Sequence, residues 1–335
     1  MSSTELPGIS PPAQVPDTPS RGSAAGQGPA DVRQVALPGL TLAVRHRAPA
    51  RAGLEPALYV HGLGGSALNW TALAAELADR VDGEALDLPG FGHSAPPDDG
   101  DYSISGHARA VVRYLDAAGR GPVHLFGNSM GGAVVTRVAA VRPDLVRTLT
   151  LVSPALPELR PQATALPNVL LAIPGAGGAF MRLTEGWSPE RRTGAVLALC
   201  YGDPSRVTPE GFAEAIEEYQ RRLSLPYHWE AMERSARGIV DAYTLGGRHG
   251  LWAQARRVQA PTLLVYGARD QLVSARMARK ARRSFADSRL LLLPEAGHVA
   301  MMEYPRVVAR AFGELLADRT TATTATTATT VRNGN

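Results

Sequence analysis

Cysteine is almost absent: Cys200 is the only one in 335 residues. No intramolecular disulfide can form, and nothing in the composition points to an oxidising compartment. A lone Cys in this setting reads as a small buried apolar residue rather than a nucleophile. Lysine is equally scarce, with Lys280 alone, so Arg carries the positive charge, and the formal net charge is only +4. The densest basic run is Arg276, Arg279, Lys280, Arg282 and Arg283. It reads as a solvated helix face, and no nucleic-acid partner is implied. No stretch of about 20 apolar residues exists, so no membrane-spanning helix and no stable membrane insertion are expected. The first residues lack a basic segment followed by an apolar one and do not read as a signal peptide. The expected location is the cytoplasm. No spacing of His, Cys and carboxylates suggests a metal site, and no cofactor is implied.

What the sequence does contain is alternation. Residues 1–32 are rich in Pro, Gly, Ser and Ala and are expected to be a disordered extension, as is a Thr/Ala tail over 319–335. Between them, short apolar runs such as Leu58-Tyr59-Val60 and Val123-His124-Leu125-Phe126 alternate with helical patterns. Leu68, Leu73, Leu77 and Val81 fall near one face of the first such pattern. Ser103 is placed to cap a second, in which Ile104, Ala108, Val111, Val112 and Leu115 share a face. Strand–helix alternation of this kind predicts an α/β fold, a mostly parallel sheet flanked by helices. It holds over 33–153, lapses over 154–260 into Pro-punctuated helical segments, and resumes over 261–318. The middle stretch is expected to be a helical cap inserted into one sheet. Because it follows a strand, it should project over the carboxyl ends of the strands, where ligands bind in open α/β sheets.

The most informative stretch is Gly127-Asn128-Ser129-Met130-Gly131-Gly132, directly after an apolar strand. It matches G-x-S-x-G in the strand-then-helix setting of a nucleophile elbow. A serine hydroxyl is a poor nucleophile in water and becomes useful beside a base, with donors waiting for the oxyanion. Gly127 and Gly131 remove side chains where strand and helix crowd together. Asp270, after 263–267, and His298, after 290–293, each leave a strand at the same edge of the sheet, in the chain order Ser, Asp, His. They are the expected orienting acid and base, with Asp241 and Asp287 as runner-up acids. The oxyanion donors are expected to be the N–H of Met130, at the start of its helix, and that of Leu63 in the turn His61-Gly62-Leu63-Gly64-Gly65, with Gly64 as alternative. Gly62 and Gly64 let that turn approach a substrate carbonyl. A phosphate-cradle reading of the turn lacks the Lys and the glycine spacing it needs.

These motifs, with Asp87-Leu88-Pro89-Gly90-Phe91-Gly92-His93-Ser94 and Glu303-Tyr304-Pro305, resemble the α/β-hydrolase fold superfamily of the type with a helical cap. The resemblance covers residues 34–317. It implies a Ser-Asp-His serine hydrolase and sets aside the branches that use an Asp nucleophile, since the elbow carries Ser129. The wording around Asn128 and Met130 is similar to the C–C hydrolases of meta-cleavage products. The chain departs from them at Leu63-Gly64-Gly65, at Val299 after the His, and at Thr208-Pro209-Glu210, where no cap Arg follows.

The expected function is hydrolysis of carboxylic esters with an apolar acyl or alcohol part, the partner being a small apolar ester or related carbonyl compound. The apolar cap segment 166–173 and Met181, Trp187, Phe212 and Trp229 motivate the apolar substrate. The alternative is a C–C bond hydrolase of 2-hydroxy-6-oxo-dienoates, and a third reading is a non-catalytic ligand-binding module. The sequence assigns no oligomeric state.

Overall fold

The computed structural model describes residues 31–158, 162–244 and 246–332. The expected disorder of residues 1–30 and 333–335 lies outside the described residues. Eight strands form one sheet: β1 (Asp31–Leu37), β2 (Leu40–His46), β3 (Glu55–Val60), β4 (Val81–Leu86), β5 (Val123–Asn128), β6 (Val146–Val152), β7 (Thr262–Gly267) and β8 (Ser288–Leu293). Their order is β1-β2-β4-β3-β5-β6-β7-β8. The first two strands pair antiparallel with their neighbours, and β4 through β8 run parallel.

The core helices are α1 (Thr71–Glu76), α2 (Ile104–Ala118) and α3 (Met130–Val141). The cap follows with α4 (Leu166–Leu170), α5 (Ala176–Leu183), α6 (Pro189–Cys200), α7 (Pro209–Leu223), α8 (His228–Thr244) and α9 (Leu251–Ala255). The core then closes with α10 (Met277–Ser284), α11 (Ala300–Glu303) and α12 (Pro305–Arg332). Among the described residues no strand occurs between β6 and β7.

Both faces of the central strands are covered, which explains why they read as apolar runs without polar alternation. Leu58, Val60, Leu125 and Leu264 pack toward α2, α3 and α10 on one face. Tyr59, Phe126, Leu263 and Val265 pack toward α1, α11 and α12 on the other. There Phe126 lies 4.8 Å from Tyr59 and 4.9 Å from Phe312, ring centre to ring centre. Each such buried side chain stabilises the fold by roughly 1.5–3 kcal/mol relative to exposure.

Three expectations need correction. Strand β1 begins at Asp31, inside the stretch expected to be disordered, because Pro38-Gly39 turns it into a hairpin with β2. Leu68 is exposed and Val81 opens β4, so the first helical face is shorter than its pattern. Helix α12 continues through the Thr/Ala repeat to Arg332, where a disordered tail is expected from 319. Ala is the strongest helix former, and neither Pro nor Gly interrupts the repeat before Gly334. The Ser103 cap forms as its sequence suggests, with its hydroxyl accepting from Gly106 N–H at 3.0 Å.

Candidate active site

Ser129 sits between β5 and α3 with φ 51° and ψ −118°, one of two non-glycine residues at positive φ among the described residues. Such a backbone costs about 1–3 kcal/mol and persists only where its surroundings enforce it. They do so here through both peptide groups. Ser129 N–H donates to Val152 O at 3.1 Å, and Ser129 O accepts from Ala133 N–H at 3.2 Å and Ala155 N–H at 2.9 Å. The flanking glycines are steric necessities. A Cβ on Gly131 would lie 2.3 Å from Val60 O, and one on Gly127 would lie 2.5 Å from Val135 Cγ2.

The turn after β3 touches the elbow directly: a Cβ on Gly62 would lie 3.0 Å from Ser129 Cβ. His61 fixes this turn. Leu88 N–H donates to His61 Nε2 at 2.9 Å, so Nδ1 carries the proton and donates to Gly62 O at 2.7 Å. Gly65 N–H donates to the same oxygen at 3.1 Å. Because a trans peptide points its N–H opposite its C=O, the Leu63 N–H is held facing away from that carbonyl. Among the described residues neither the Leu63 nor the Met130 N–H has a backbone acceptor. Gly64, at φ +67°, lies under the cap, where a Cβ would meet Met232 Cε at 3.2 Å.

Asp270 and His298 follow β7 and β8 and meet at the same edge. His298 Nδ1 donates to Asp270 Oδ2 at 2.9 Å, leaving Nε2 as the nitrogen free to act as a base. Asp270 Oδ1 also accepts from Leu272 and Val273 N–H at 2.8 and 2.9 Å. Burial pushes the Asp270 carboxyl up; the His298 charge and these hydrogen bonds outweigh it and hold the carboxyl below its ordinary value. The runner-up acids Asp241 and Asp287 are exposed at the surface.

Two residues that the motifs contain but the spacing does not explain tie the parts together. Asn128 Nδ2 donates to Val152 O and to His298 O, both at 3.0 Å, joining the elbow to the histidine loop. The half of the loop before His298 is anchored by Glu303. Its buried carboxylate accepts from Gly297 N–H at 2.7 Å, Gly202 N–H at 2.8 Å and Asp203 N–H at 3.3 Å. His298 N–H donates to Cys200 O at 2.7 Å. Burial pushes the Cys200 thiol up to about 12, so it stays protonated and inert.

The apolar cap residues of the sequence are used within the cap. Trp229 packs under Gly177, and Arg191 covers the Trp187 ring at 4.1 Å. Leu166, Val169, Leu170 and Ile173 in the stripe at 166–173 are exposed. The cap Arg that is missing at the start of α7 has a counterpart at its other end. Arg222 is mostly enclosed, with its side chain 17% exposed and Nε 3.7 Å from Glu218 Oε1. Burial lowers the proton affinities of His61 and His228, and the Arg222 charge adds to this. Sequence spacing gives no sign of this, because its placement depends on how α7 docks; Arg221 beside it donates to Gly92 O at 3.2 Å. Among the described residues no three His, Cys or carboxylate groups gather to hold a metal ion.

A parallel sheet with a strained serine after its fifth strand, and a carboxylate–imidazole pair on the same edge, defines the α/β-hydrolase class. The family model for the alpha/beta hydrolase fold matches residues 56–305, and the chain belongs to that family. A dihydrolipoyllysine-residue acetyltransferase component of the acetoin cleaving system of Pseudomonas putida is 33% identical over 261 residues, 75% of this chain and 60% of that protein. The chain thus spans about three-fifths of that relative's length. Lipase 1 of Psychrobacter immobilis is 27% identical over 74% of this chain and 73% of its own. A 2-hydroxy-6-oxo-6-(2'-aminophenyl)hexa-2,4-dienoic acid hydrolase of Metapseudomonas resinovorans is 27% identical over 80% of this chain and 86% of its own.

Proposed function

We propose that the protein hydrolyses carboxylic esters with an apolar acyl or alcohol part through an acyl-Ser129 intermediate. The observation that carries this is the His298–Asp270 pair at 2.9 Å, joined through Asn128 to the strained elbow at Ser129. His298 Nε2 takes the Ser129 Oγ proton as Oγ attacks the ester carbonyl carbon. Asp270 fixes the tautomer and stabilises the imidazolium. The carbonyl oxygen becomes an oxyanion held by the Met130 and Leu63 N–H groups. The C–O bond then breaks, and His298 gives its proton to the departing alkoxide. Water, deprotonated by His298, attacks the acyl carbon and releases the acid and Ser129. Similarity to a lipase and the Met232 side chain over Gly64 support an apolar substrate. Fluorophosphonate treatment is expected to label the wild-type protein once and Ser129→Ala not at all. Equal labelling of both would overturn the reading.

Arg222 favours a second reading, a C–C hydrolase of dienoate acids, because a mostly enclosed cap cation whose charge acts on His61 suits a substrate carboxylate. The similarity to a dienoic acid hydrolase supports it as well. Turnover of aryl esters that greatly exceeds turnover of a dienoate chromophore selects the ester reading, and the reverse selects the second.

A further inference from the structure

The short helix α4 and the turn after it carry an outward apolar stripe. Leu166, Val169 and Leu170 lie on the helix, and Ile173 lies in the turn that follows it. That face would ordinarily turn inward. Here all four side chains are exposed, Ile173 to 56%. The next helix, α5, extends the surface with Phe180 and with Leu183, which is 82% exposed. These six side chains leave several hundred Å² of apolar surface, the scale at which a patch on a monomer marks an interaction site.

The surface is held in place. Glu233 accepts from Gly175 and Gly177 N–H at 2.9 and 2.8 Å at the start of α5. Arg237 Nε donates to Ala172 O at 3.1 Å, and Gly177 lies directly on the Trp229 ring. These half-buried neighbours on α8 hold the patch in place.

Charge identifies what covers it. Between residues 163 and 184 the only charged residue is Arg182, and no acidic residue appears before Glu185. Arg182 donates only to a backbone carbonyl, Gly178 O, at 3.4 Å. The loop before α10 is bonded to the segment that leads into α4: Gln162 Nε2 donates to Asp270 O at 2.9 Å, and Thr164 Oγ1 to Gln271 O. Arg276, just before helix α10, and Arg279, Lys280 and Arg283 on it are all exposed; the Arg276 charge acts on Glu158, and Lys280 Nζ lies 4.3 Å over the Trp252 ring. An outward apolar stripe with a cation inside it and a cationic helix at its border matches a bilayer carrying anionic headgroups.

We propose that the α4–α5 face of the cap docks the protein peripherally on anionic lipid membranes. The apolar side chains enter the headgroup–acyl boundary, and Arg182 and the start of α10 meet the lipid phosphates. This binding is independent of the hydrolytic reading, so each can fail without the other.

The test is co-sedimentation of the full chain with vesicles of seven parts phosphatidylcholine to three parts phosphatidylglycerol. Wild type and Ser129→Ala are expected to bind equally, and binding should weaken at about 0.5 M salt as headgroup attraction is screened. Leu170→Glu and Leu183→Glu should each weaken binding by about tenfold or more, through loss of apolar burial and added repulsion. Arg182→Glu, which leaves the apolar stripe intact, should weaken it by roughly fivefold or more. Melting temperatures within a degree or two of wild type establish that the variants are folded. Wild type that stays in the supernatant would overturn the proposal, as would variants that bind like wild type. So would a wild-type dimer in light scattering that Leu183→Glu splits without any vesicle binding, since the face then belongs to a second copy of the chain.

Discussion

At the scale of single residues, the proposed site depends on side chains that never touch substrate. Asn128 is the clearest case, because its amide bridges β6, next to the elbow, to the carbonyl of His298. Asn128→Asp keeps the shape and removes both donors, leaving a carboxylate against two buried carbonyls. Val152 O keeps the Ser129 N–H while His298 O loses its Asn128 donor; a buried acceptor left without its partner costs about 1–3 kcal/mol, and the variant should lose roughly that much stability. In the proposed reaction kcat on a short aryl ester should fall by about tenfold or more, with KM little changed, since the histidine is displaced and the substrate contacts are not. Steady-state kinetics with a thermal melt checks both; an unaltered kcat would show that His298 is positioned without Asn128. Ser129, Asp270 and His298 were legible because each leaves a strand at one edge in a recognisable order. Asn128 was visible only as part of a motif's wording, since the carbonyl it serves is 170 residues away.

At the scale of elements, the cap and the core share an apolar seam, with Ala231, Ala242 and Tyr201 of the cap in the core clusters, and buried polar groups pin it at particular points. Glu303, on α11, receives N–H groups from the histidine loop and from the residues just after α6. Together with the His298 N–H to Cys200 O bond, this carboxylate ties the cap segment after α6 to the histidine loop. Burial nonetheless pushes its carboxyl above the ordinary value, the three N–H donors and Arg206 opposing this. Glu303→Ala should lower the melting temperature by roughly 5 °C or more, through about 2–4 kcal/mol of unpaired N–H groups. Glu303→Gln, which keeps a carbonyl acceptor, should lose less. Calorimetry of the two variants decides this, and equal melting temperatures for wild type and Glu303→Ala would remove Glu303 from the joint. The parallel strands and their helices could be read from the sequence because local apolar runs report two-sided burial directly. The orientation of the cap helices could not. The apolar residues at 166–173 read as cap core in the sequence, and their spacing does not say whether they are buried or exposed. The enclosure of Arg222 likewise depends on how α7 docks.

At the scale of the whole molecule, the joint between cap and core encloses histidines. His61 lies in the glycine turn, His107 on α2 and His228 at the start of α8; His107 Nε2 lies 3.0 Å from Ser235 Oγ, linking α2 to the cap. Burial lowers the proton affinity of all three, to about 3 for His107 and, with help from the Arg222 charge, to about 4 for His228. An unfolded chain binds these protons near pH 6.5 and the folded protein does not, so acid favours unfolding. Their stabilising contribution is complete above pH 6.5 and is lost as pH falls below it. Glu158 and Glu303, whose carboxyls burial raises, act with the opposite sign as pH falls toward 4.5. The absolute curve therefore mixes the two, and a difference between proteins isolates one group. Between pH 6.5 and 4.5 the stability of wild type relative to His107→Gln should fall by up to about 1.4 kcal/mol per pH unit, one proton's worth. Denaturant unfolding of both proteins across that range measures the slope. Parallel curves would mean that His107 takes up its proton inside the folded protein, and that the cap–core joint is open enough to solvate it.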